Sequence, residues 1–379
     1  MSVLSLRLVR FRNYPKLEVG LHPRLNLFLG ANAQGKTNIL EALYCLSTTR
    51  SFRSAADDEL IAFGQDEAAV EAEVEHPAGR EVLRLEYYRH QGKGLSLDGK
   101  KQKKLSSLLG RLPSVVFSPD DLFLVKGAPV LRRRLLDVTL LQMDPVYLVH
   151  LQQYERSLKQ RNALLKSRAS GLESQLPVWD EALARHGAFL QKRRGELAAE
   201  LSDRSGRALE DLTGGAERFE AAYAPQVKAG ADEDSIRSAI LEALRAGRRD
   251  EMVRGTTLNG PHRDDVRLSV NGKPLRKYGS QGQMRTGALA VKLAQLEILA
   301  GACRVPPLVL FDDVMAELDE KRQAFFLERL KRGGQALLTG TSENDFAAAR
   351  GGARVFRVAE GAVTMVDAGP PVSARVAAQ

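Results

Sequence analysis

Residues Gly30-Ala31-Asn32-Ala33-Gln34-Gly35-Lys36-Thr37 fit, position by position, the pattern in which two glycines bracket four residues ahead of a lysine and a hydroxyl residue. No other feature of the chain restricts its fold as strongly. Such a loop works where a buried strand hands over to a helix, because that junction turns several backbone N–H groups and a helix N-terminus onto one anion. The flanks supply both parts: Leu25–Leu29 reads as a strand entering a turn, and Asn38–Leu46 as the opening of a helix. Gly30 and Gly35 permit close backbone approach to a phosphate, and Ala31, Asn32, Ala33, Gln34 and Asn38 complete the cradle. Lys36 brings a point charge to the β- and γ-phosphates, and Thr37 offers a hydroxyl to Mg²⁺. The plainer alternative is a glycine-rich turn before an ordinary helix.

A phosphate loop of this kind needs a carboxylate to complete its metal site. Leu308-Val309-Leu310-Phe311-Asp312-Asp313 provides one at the end of an apolar strand. Asp312 suits the Mg²⁺ shell, and Asp313 is placed to orient or deprotonate water. Strands often end in aspartate, so the pair gains meaning only beside the loop. Most of the chain separates the two, and the site is therefore assembled from its two ends. Between them, Tyr278-Gly279-Ser280-Gln281-Gly282-Gln283 directly precedes a predicted helix over about Gln283–Ala300. Glycines and a serine at a helix start make a second anion-binding nest, with Ser280, Gly282 and Gln283 as its contacts. A simple helix cap by Ser280 or Gly282 is the competing reading.

Leu4, Leu6 and Leu8 alternate with polar residues over Val3–Val9, and the same period recurs in Val70–Glu75, Leu83–Tyr87 and Leu95–Leu97. Gly-containing breaks separate these runs, as in an antiparallel meander. After Ser118-Pro119-Asp120 the pattern turns helical, with Pro145 and Pro177 expected at helix starts. Leucine stripes over Pro145–Arg168 and Pro177–Leu212 meet if the helices fold back through Ser170-Gly171; two unrelated core helices are the alternative. Val266–Val270 followed by Asn271-Gly272 signals a tight hairpin. A strand Leu308–Phe311, a helix near Asp319–Arg332 and a strand Ala336–Leu338 complete the pattern. The expectation is an α/β fold whose core is split in sequence by a helical insertion, with boundaries 1–115, 116–300 and 301–379.

Lysine and arginine number 56 against 47 acidic residues, a net charge of +9, which points to a polyanionic partner or to general surface solubility. Lys100, Lys101, Lys103 and Lys104 follow a predicted Asp98-Gly99 hairpin turn and suit a DNA backbone. Arg132, Arg133 and Arg134 are a second candidate. Three successive helical residues point in three directions, so at most two face one phosphate strand, and a solvated face explains them as well. Arg245, Arg248 and Arg249 instead complement a helix dipole. Aromatic residues are 6% of the chain and hardly interleave with these runs, which favours duplex phosphates over stacked bases. His262 is a tempting base, but no metal-ligand spacing accompanies it and a structural turn or DNA contact is the better expectation. Cys45 and Cys303 are too few and too distant for a disulfide framework. No run of about 18 uncharged apolar residues exists and Arg7 and Arg10 interrupt the N-terminus, so neither a membrane span nor an export signal is expected; a cytoplasmic protein fits.

The separate blocks together resemble a known family. They are Phe11-Arg12-Asn13-Tyr14, Gly35-Lys36-Thr37-Asn38 with Ser51-Phe52-Arg53, and Phe117-Ser118-Pro119-Asp120-Asp121-Leu122. Val125-Lys126-Gly127, Arg132-Arg133-Arg134, Asn259-Gly260-Pro261-His262-Arg263-Asp264-Asp265 and Ser280-Gln281-Gly282-Gln283 continue them. This set is similar to the SMC-class heads of ABC-type ATPases, and more narrowly to the RecF family of bacterial recombination repair. The resemblance implies an ABC-type head: a split, strand-rich P-loop lobe and a mainly helical lobe with a short helical hairpin. It also implies ATP and Mg²⁺ as cofactors, an ATP-dependent homodimer, slow DNA-stimulated hydrolysis, and binding to duplex DNA and single/double-strand junctions. Partners implied are RecR, and through it RecO and RecA at gapped DNA. By the same resemblance Lys36 and Asp313 are catalytic, Thr37 and Asp312 hold the metal, Ser280 meets the γ-phosphate held by a second subunit, and Asp319 of Glu317-Leu318-Asp319 joins the nucleotide contacts.

Three departures stand out. Asp313 occupies the place of the usual glutamate and is shorter by a methylene. Leu337-Leu338-Thr339-Gly340-Thr341 lacks the usual histidine, and Ser118-Pro119-Asp120 replaces the usual glutamine. Two rivals remain open from sequence: a transporter ATPase subunit, which shares loop and signature, and a structural DNA-binding protein that keeps nucleotide affinity without turnover.

Overall fold

The computed structural model describes residues 1–53, 56–167, 171–315, 322–323, 325–326, 328, 334–342 and 352–367. The chain divides into two compact units, residues 1–119 with 299–379, and residues 120–298. Strands and helices are numbered along the chain.

The first unit holds two six-stranded sheets. One is antiparallel, in the order β2-β1-β4-β5-β6-β7, from β1 (Ser2–Phe11), β2 (Tyr14–Gly20), β4 (Glu67–His76), β5 (Gly79–Tyr88), β6 (Gly92–Leu97) and β7 (Lys100–Lys101). Leu6, Leu8, Val70, Val74, Leu83, Leu85 and Leu95 are buried, so the period-two alternation marks a single apolar face. Asp98 and Gly99, at φ 48° and 74°, form the two-residue turn between β6 and β7. The other sheet runs β15-β14-β3-β13-β12-β8. Its members are β3 (Leu25–Leu29), β8 (Ser114–Phe117), β12 (Leu308–Phe311), β13 (Ala336–Gly340), β14 (Ala353–Ala359) and β15 (Ala362–Asp367). The pairs from β14 to β8 are all parallel. Such strands are covered on both faces, which explains continuous apolar runs such as Leu308–Phe311. Parallel alignment brings the carboxyl ends of β3 and β12 to one edge of the sheet with β13 between them, the usual place for a ligand in such sheets. Stacked rings of Phe117 and Phe311, 4.4 Å apart, lock β8 to β12. Helix α1 (Lys36–Thr48) follows β3. The helix expected near Asp319–Arg332 falls largely outside the described residues.

The second unit begins with α2 (Leu122–Lys126), α3 (Pro129–Met143), α4 (Pro145–Ser167) and the 42-residue α5 (Leu172–Thr213). β9 (Phe219–Ala224), α6 (Glu233–Ala246), α7 (Arg248–Arg254), β10 (Asp265–Val270) and β11 (Lys273–Pro274) come next. α8 (Leu275–Tyr278) and α9 (Gln281–Ala302) close it, the unit boundary falling inside α9. α4 and α5 do pack side by side as a hairpin. Pro177 does not start the second helix, contrary to expectation. α5 begins at Leu172, after Gly171 at φ 79°, and Pro177 lies within it. The earlier start lets Leu172 and Leu176 pack with Leu165 in one buried cluster. Burying leucines gains roughly 1.5–3 kcal/mol each, enough to offset a proline's cost of about 3 kcal/mol.

Arg161 ties the hairpin to the rest of this unit. It is fully buried and donates to Asp180 at 2.8 Å and Thr257 at 2.9 Å, with Glu251 at 2.7 Å. Replacing Arg161 by Met leaves two buried carboxylates short of their countercharge. The expected loss of stability is about 3–5 kcal/mol, read as a lower urea midpoint; an unchanged midpoint contradicts the assigned role.

Candidate nucleotide site

The loop between β3 and α1 is held in a form that requires glycine at two positions. A Cβ on Gly30 would lie 2.1 Å from the Val358 carbonyl oxygen of β14. Gly35 sits at φ 110°, and a Cβ there would meet the Asn13 side chain at 2.5 Å and the Tyr14 hydroxyl at 2.8 Å. Backbone is thus packed where any side chain would intrude, and Ala33 also adopts a left-handed φ of 65°. Lys36 is 3% exposed and donates to the carbonyls of Gly30 at 2.7 Å and Ala31 at 3.2 Å. Its ammonium is curled inside the loop, 3.8 Å from Asp313 Oδ2.

Opposite the loop, Thr37 Oγ1 donates to Asp312 Oδ1 at 2.7 Å, joining positions 275 residues apart. Burial pushes the Asp312 carboxyl above the usual carboxylate range; the neighbouring Asp313 charge adds to this, while the Thr37 and Thr339 hydroxyls pull it back. Asp313 takes a left-handed φ of 51°, and its N–H donates to Thr339 Oγ1 at 2.9 Å. Lys36, Thr37, Asp312 and Asp313 therefore converge within one unit, as their expected roles require. The oxygen pair of Thr37 and Asp312 is a donor set of the kind a hard divalent cation takes while keeping several waters.

A supporting shell escaped functional assignment from sequence. Asn13 donates to the Gln34 carbonyl at 3.1 Å and accepts from Asn38 at 2.7 Å, and the Tyr14 hydroxyl donates to the Gly35 carbonyl at 3.0 Å. Glu41, fully buried on α1, takes a bidentate pair from Arg12 at 2.8 and 2.9 Å and a hydroxyl from Ser51. Arg53 donates to Asn38 at 2.9 Å. The Glu360 N–H in the β14–β15 turn donates to the Gln34 side chain at 2.6 Å. Asn13, Tyr14, Ser51 and Arg53 stood out only as members of the resemblance. A charged residue at a helix position otherwise surrounded by apolar ones, Glu41, was the available signal.

Ser280, Gly282 and Gln283 belong to the second unit, at the exposed start of α9. The Gln283 N–H donates to Ser280 Oγ at 3.1 Å, and the Ser280 N–H donates to the Gln283 side chain at 2.9 Å. This reciprocal capping box is the helix cap weighed above, and it leaves the Ser280 hydroxyl proton for another acceptor. Asp319 lies outside the described residues.

The basic runs separate. Lys101, Lys103 and Lys104 are exposed around β7. Arg132 is corrected: it is buried, bidentate to Asp265 at 2.6 and 3.0 Å, and bonded to the carbonyls of Leu124 and Gly127, so it has no face for DNA. Arg133 donates to the Asp264 carbonyl at 2.6 Å, and Arg134 is half-buried. Packing demand at the α3–β10 contact, invisible in a basic triplet, decides this. His262 accepts from the Tyr154 hydroxyl at 2.6 Å and meets the Thr257 carbonyl at 3.2 Å. Burial lowers it to about 4, so it stays neutral and structural.

Residues 2–364 match the family model described as RecF/RecN/SMC N terminal domain. The chain is 40% identical to the DNA replication and repair protein RecF of Synechococcus sp. (strain JA-3-3Ab), over 98% of this chain and 100% of that one. It is also 40% identical to the RecF of Symbiobacterium thermophilum, over 97% and 100%. The solved structure of the recombination mediator protein RecF-ATP in the RecFOR pathway superposes with a TM-score of 0.90 at 33% identity, covering 97% of this chain and 98% of that one. The Smc head domain of Pyrococcus furiosus, with an extended coiled coil and the C-terminal domain of ScpA, gives 0.56 at 16% identity over 97% and 96%, a likeness of fold.

The raised Asp312 carboxyl has a measurable consequence. An acid lifted above its unfolded value costs the folded state stability as pH rises through that range, and the cost is complete above the folded value. Asp312→Asn should therefore raise the melting temperature of the nucleotide-free, metal-free protein at neutral pH, and the gain should vanish below about pH 3.9, the ordinary aspartate value. A neutral-pH melting temperature below that of the wild type contradicts this.

Proposed function

The chain belongs to the RecF family of DNA replication and repair proteins, and from that premise we propose that it is an ATP-switched DNA-binding protein of recombination repair. Two subunits pair on ATP, bind duplex or gapped DNA, and hydrolyse ATP slowly, with DNA stimulating turnover. In the cytoplasm it works with RecR, and through RecR with RecO, to place RecA on single-stranded DNA. The observation that carries the reading is the convergence of Lys36, Thr37, Asp312 and Asp313 on one sheet edge.

Lys36 leaves its internal carbonyls for the phosphates, while the backbone amides of residues 31–35 and the start of α1 receive the negative charge. Thr37 and Asp312 would hold Mg²⁺, which when bound neutralises charge on the phosphoryl oxygens. Asp313 orients the attacking water and takes up its proton. Its short side chain suits slow turnover. Ser280 offers its remaining hydroxyl proton to the γ-phosphate of a nucleotide on a second subunit. The exposed Lys101, Lys103 and Lys104 contact the DNA backbone, and Arg134 adds to them.

Ser280→Arg should leave folding and ATP binding intact and prevent ATP-induced dimerisation, because the added bulk fills the space the partner's nucleotide needs. Mixed with a Lys36→Met chain, it forms a heterodimer with one doubly damaged and one intact site, since a two-fold axis pairs each loop with the other subunit's signature. Up to about half of a dimer's activity should return. Dimerisation of Ser280→Arg with ATP, or no recovery from heterodimers, contradicts the composite site.

DNA affinity should fall steeply with salt and depend little on sequence, as contacts to phosphate release counterions. The three lysines of each subunit contribute about −2.7 to the log–log slope on duplex, and the Lys101→Ala, Lys103→Ala, Lys104→Ala variant should lose that share. A slope near zero for the wild type overturns the assignment.

A further inference from the structure

Thr339 touches both acids of the nucleotide site and has no part in the proposed function above. It lies in β13, between β3, which launches the loop, and β12, which ends in the acids, and it is 1% exposed. Its Oγ1 accepts the Asp313 N–H at 2.9 Å. Three acceptors surround the same oxygen: Asp312 Oδ1 at 3.1 Å, Asp313 Oδ1 at 3.3 Å and the Phe311 carbonyl at 3.4 Å. A hydroxyl has one proton and two lone pairs, so it satisfies the N–H and one of the three at a time. The carbonyl is the longest contact. Asp312 Oδ1 already receives the Thr37 hydroxyl at 2.7 Å and keeps a second lone pair, so the Thr339 proton serves Asp312 and Asp313 in turn.

The accepting arm bears on backbone conformation. Asp313 stands at φ 51°, a left-handed conformation that strains a residue with a Cβ, and the Thr339 oxygen fixes the amide that defines this turn. The donating arm bears on the carboxylate. Asp313 Oδ2 faces Lys36 at 3.8 Å and Oδ1 faces Thr339, so two groups on opposite sides set the plane of the carboxylate. Lys36 is the member of that pair destined for phosphate. Thr339 is then the hold that remains.

We propose that Thr339 is a positioning residue for ATP hydrolysis, its Oγ1 fixing both the main chain and the carboxylate of Asp313. It stands in the segment where the wider ATPase class carries a histidine, and it acts on the acid from within the sheet. The proposal rests on the reading of Asp313 as the acid that orients water.

Thr339→Val keeps the shape and removes the hydroxyl, and Thr339→Ser restores it. In the nucleotide-free protein, hydrogen exchange at the Asp313 amide should quicken in the Val variant and return in the Ser variant. Calorimetric ATP affinity should stay unchanged in both. Turnover at saturating ATP should drop about 10²-fold in Thr339→Val, as a misplaced group does, and recover in Thr339→Ser. In an Asp313→Asn background, Thr339→Val should cost nothing further, because both changes remove one effect. Wild-type turnover in Thr339→Val, or an equal loss in the Ser variant, or full additivity with Asp313→Asn, overturns the positioning role. Full activity of Asp313→Asn alone overturns the parent reading instead. If Thr339→Val does not fold, the Ser variant decides: a folded Ser variant without activity contradicts the proposal.

Discussion

One hydrogen bond, Thr37 Oγ1 to Asp312 Oδ1, joins the chain's two ends at the candidate nucleotide site. Neither residue can do its work alone. The hydroxyl sits at the start of α1 and the carboxylate at the end of β12, and only the parallel sheet, with β13 between, sets the two side by side. The segment between β8 and β12 takes no part in this sheet. Its residues 120–298 form a separate unit of helices and a small sheet.

Burying the Asp312 carboxylate is costly, and the Thr37 bond offsets only part of that. A buried carboxylate next to a second one is held above its ordinary range, and the left-handed Asp313 adds backbone strain. Compensation comes from the shell beneath the loop. Glu41 is buried against Arg12 and Ser51, Asn13 links Gln34 to Asn38, and Tyr14 braces Gly35. A rigid base and a strained rim suit a site whose ligand brings several negative charges and a cation.

Much of this could be read beforehand. The loop and the acids have strict residue types at strict spacing because phosphate and metal chemistry tolerate few others. Strands β3 and β12 were legible as short apolar runs, and the Asn271-Gly272 and Asp98-Gly99 turns from the left-handed backbone they need. What stayed hidden depends on contacts distant in sequence. Pro177 reads as a helix start until Leu172 and Leu176 find Leu165. Arg132 reads as a surface charge until Asp265, more than a hundred residues away, claims it. Thr339 registered only as a missing histidine, since nothing in a strand reveals which side chain reaches its neighbour's acids. Ser280 was open to two readings, and its capping box shows that a cap and a proton left for a ligand are compatible.

The central claim is that the loop and the acids form one triphosphate site. Calorimetric titration of ATP with Mg²⁺ into the wild type and into Lys36→Met tests it most directly. The wild type should bind one ATP per chain, and Lys36→Met should lose that binding because the phosphates lose the loop's only countercharge. Equal affinity of the two proteins for ATP would contradict the assignment.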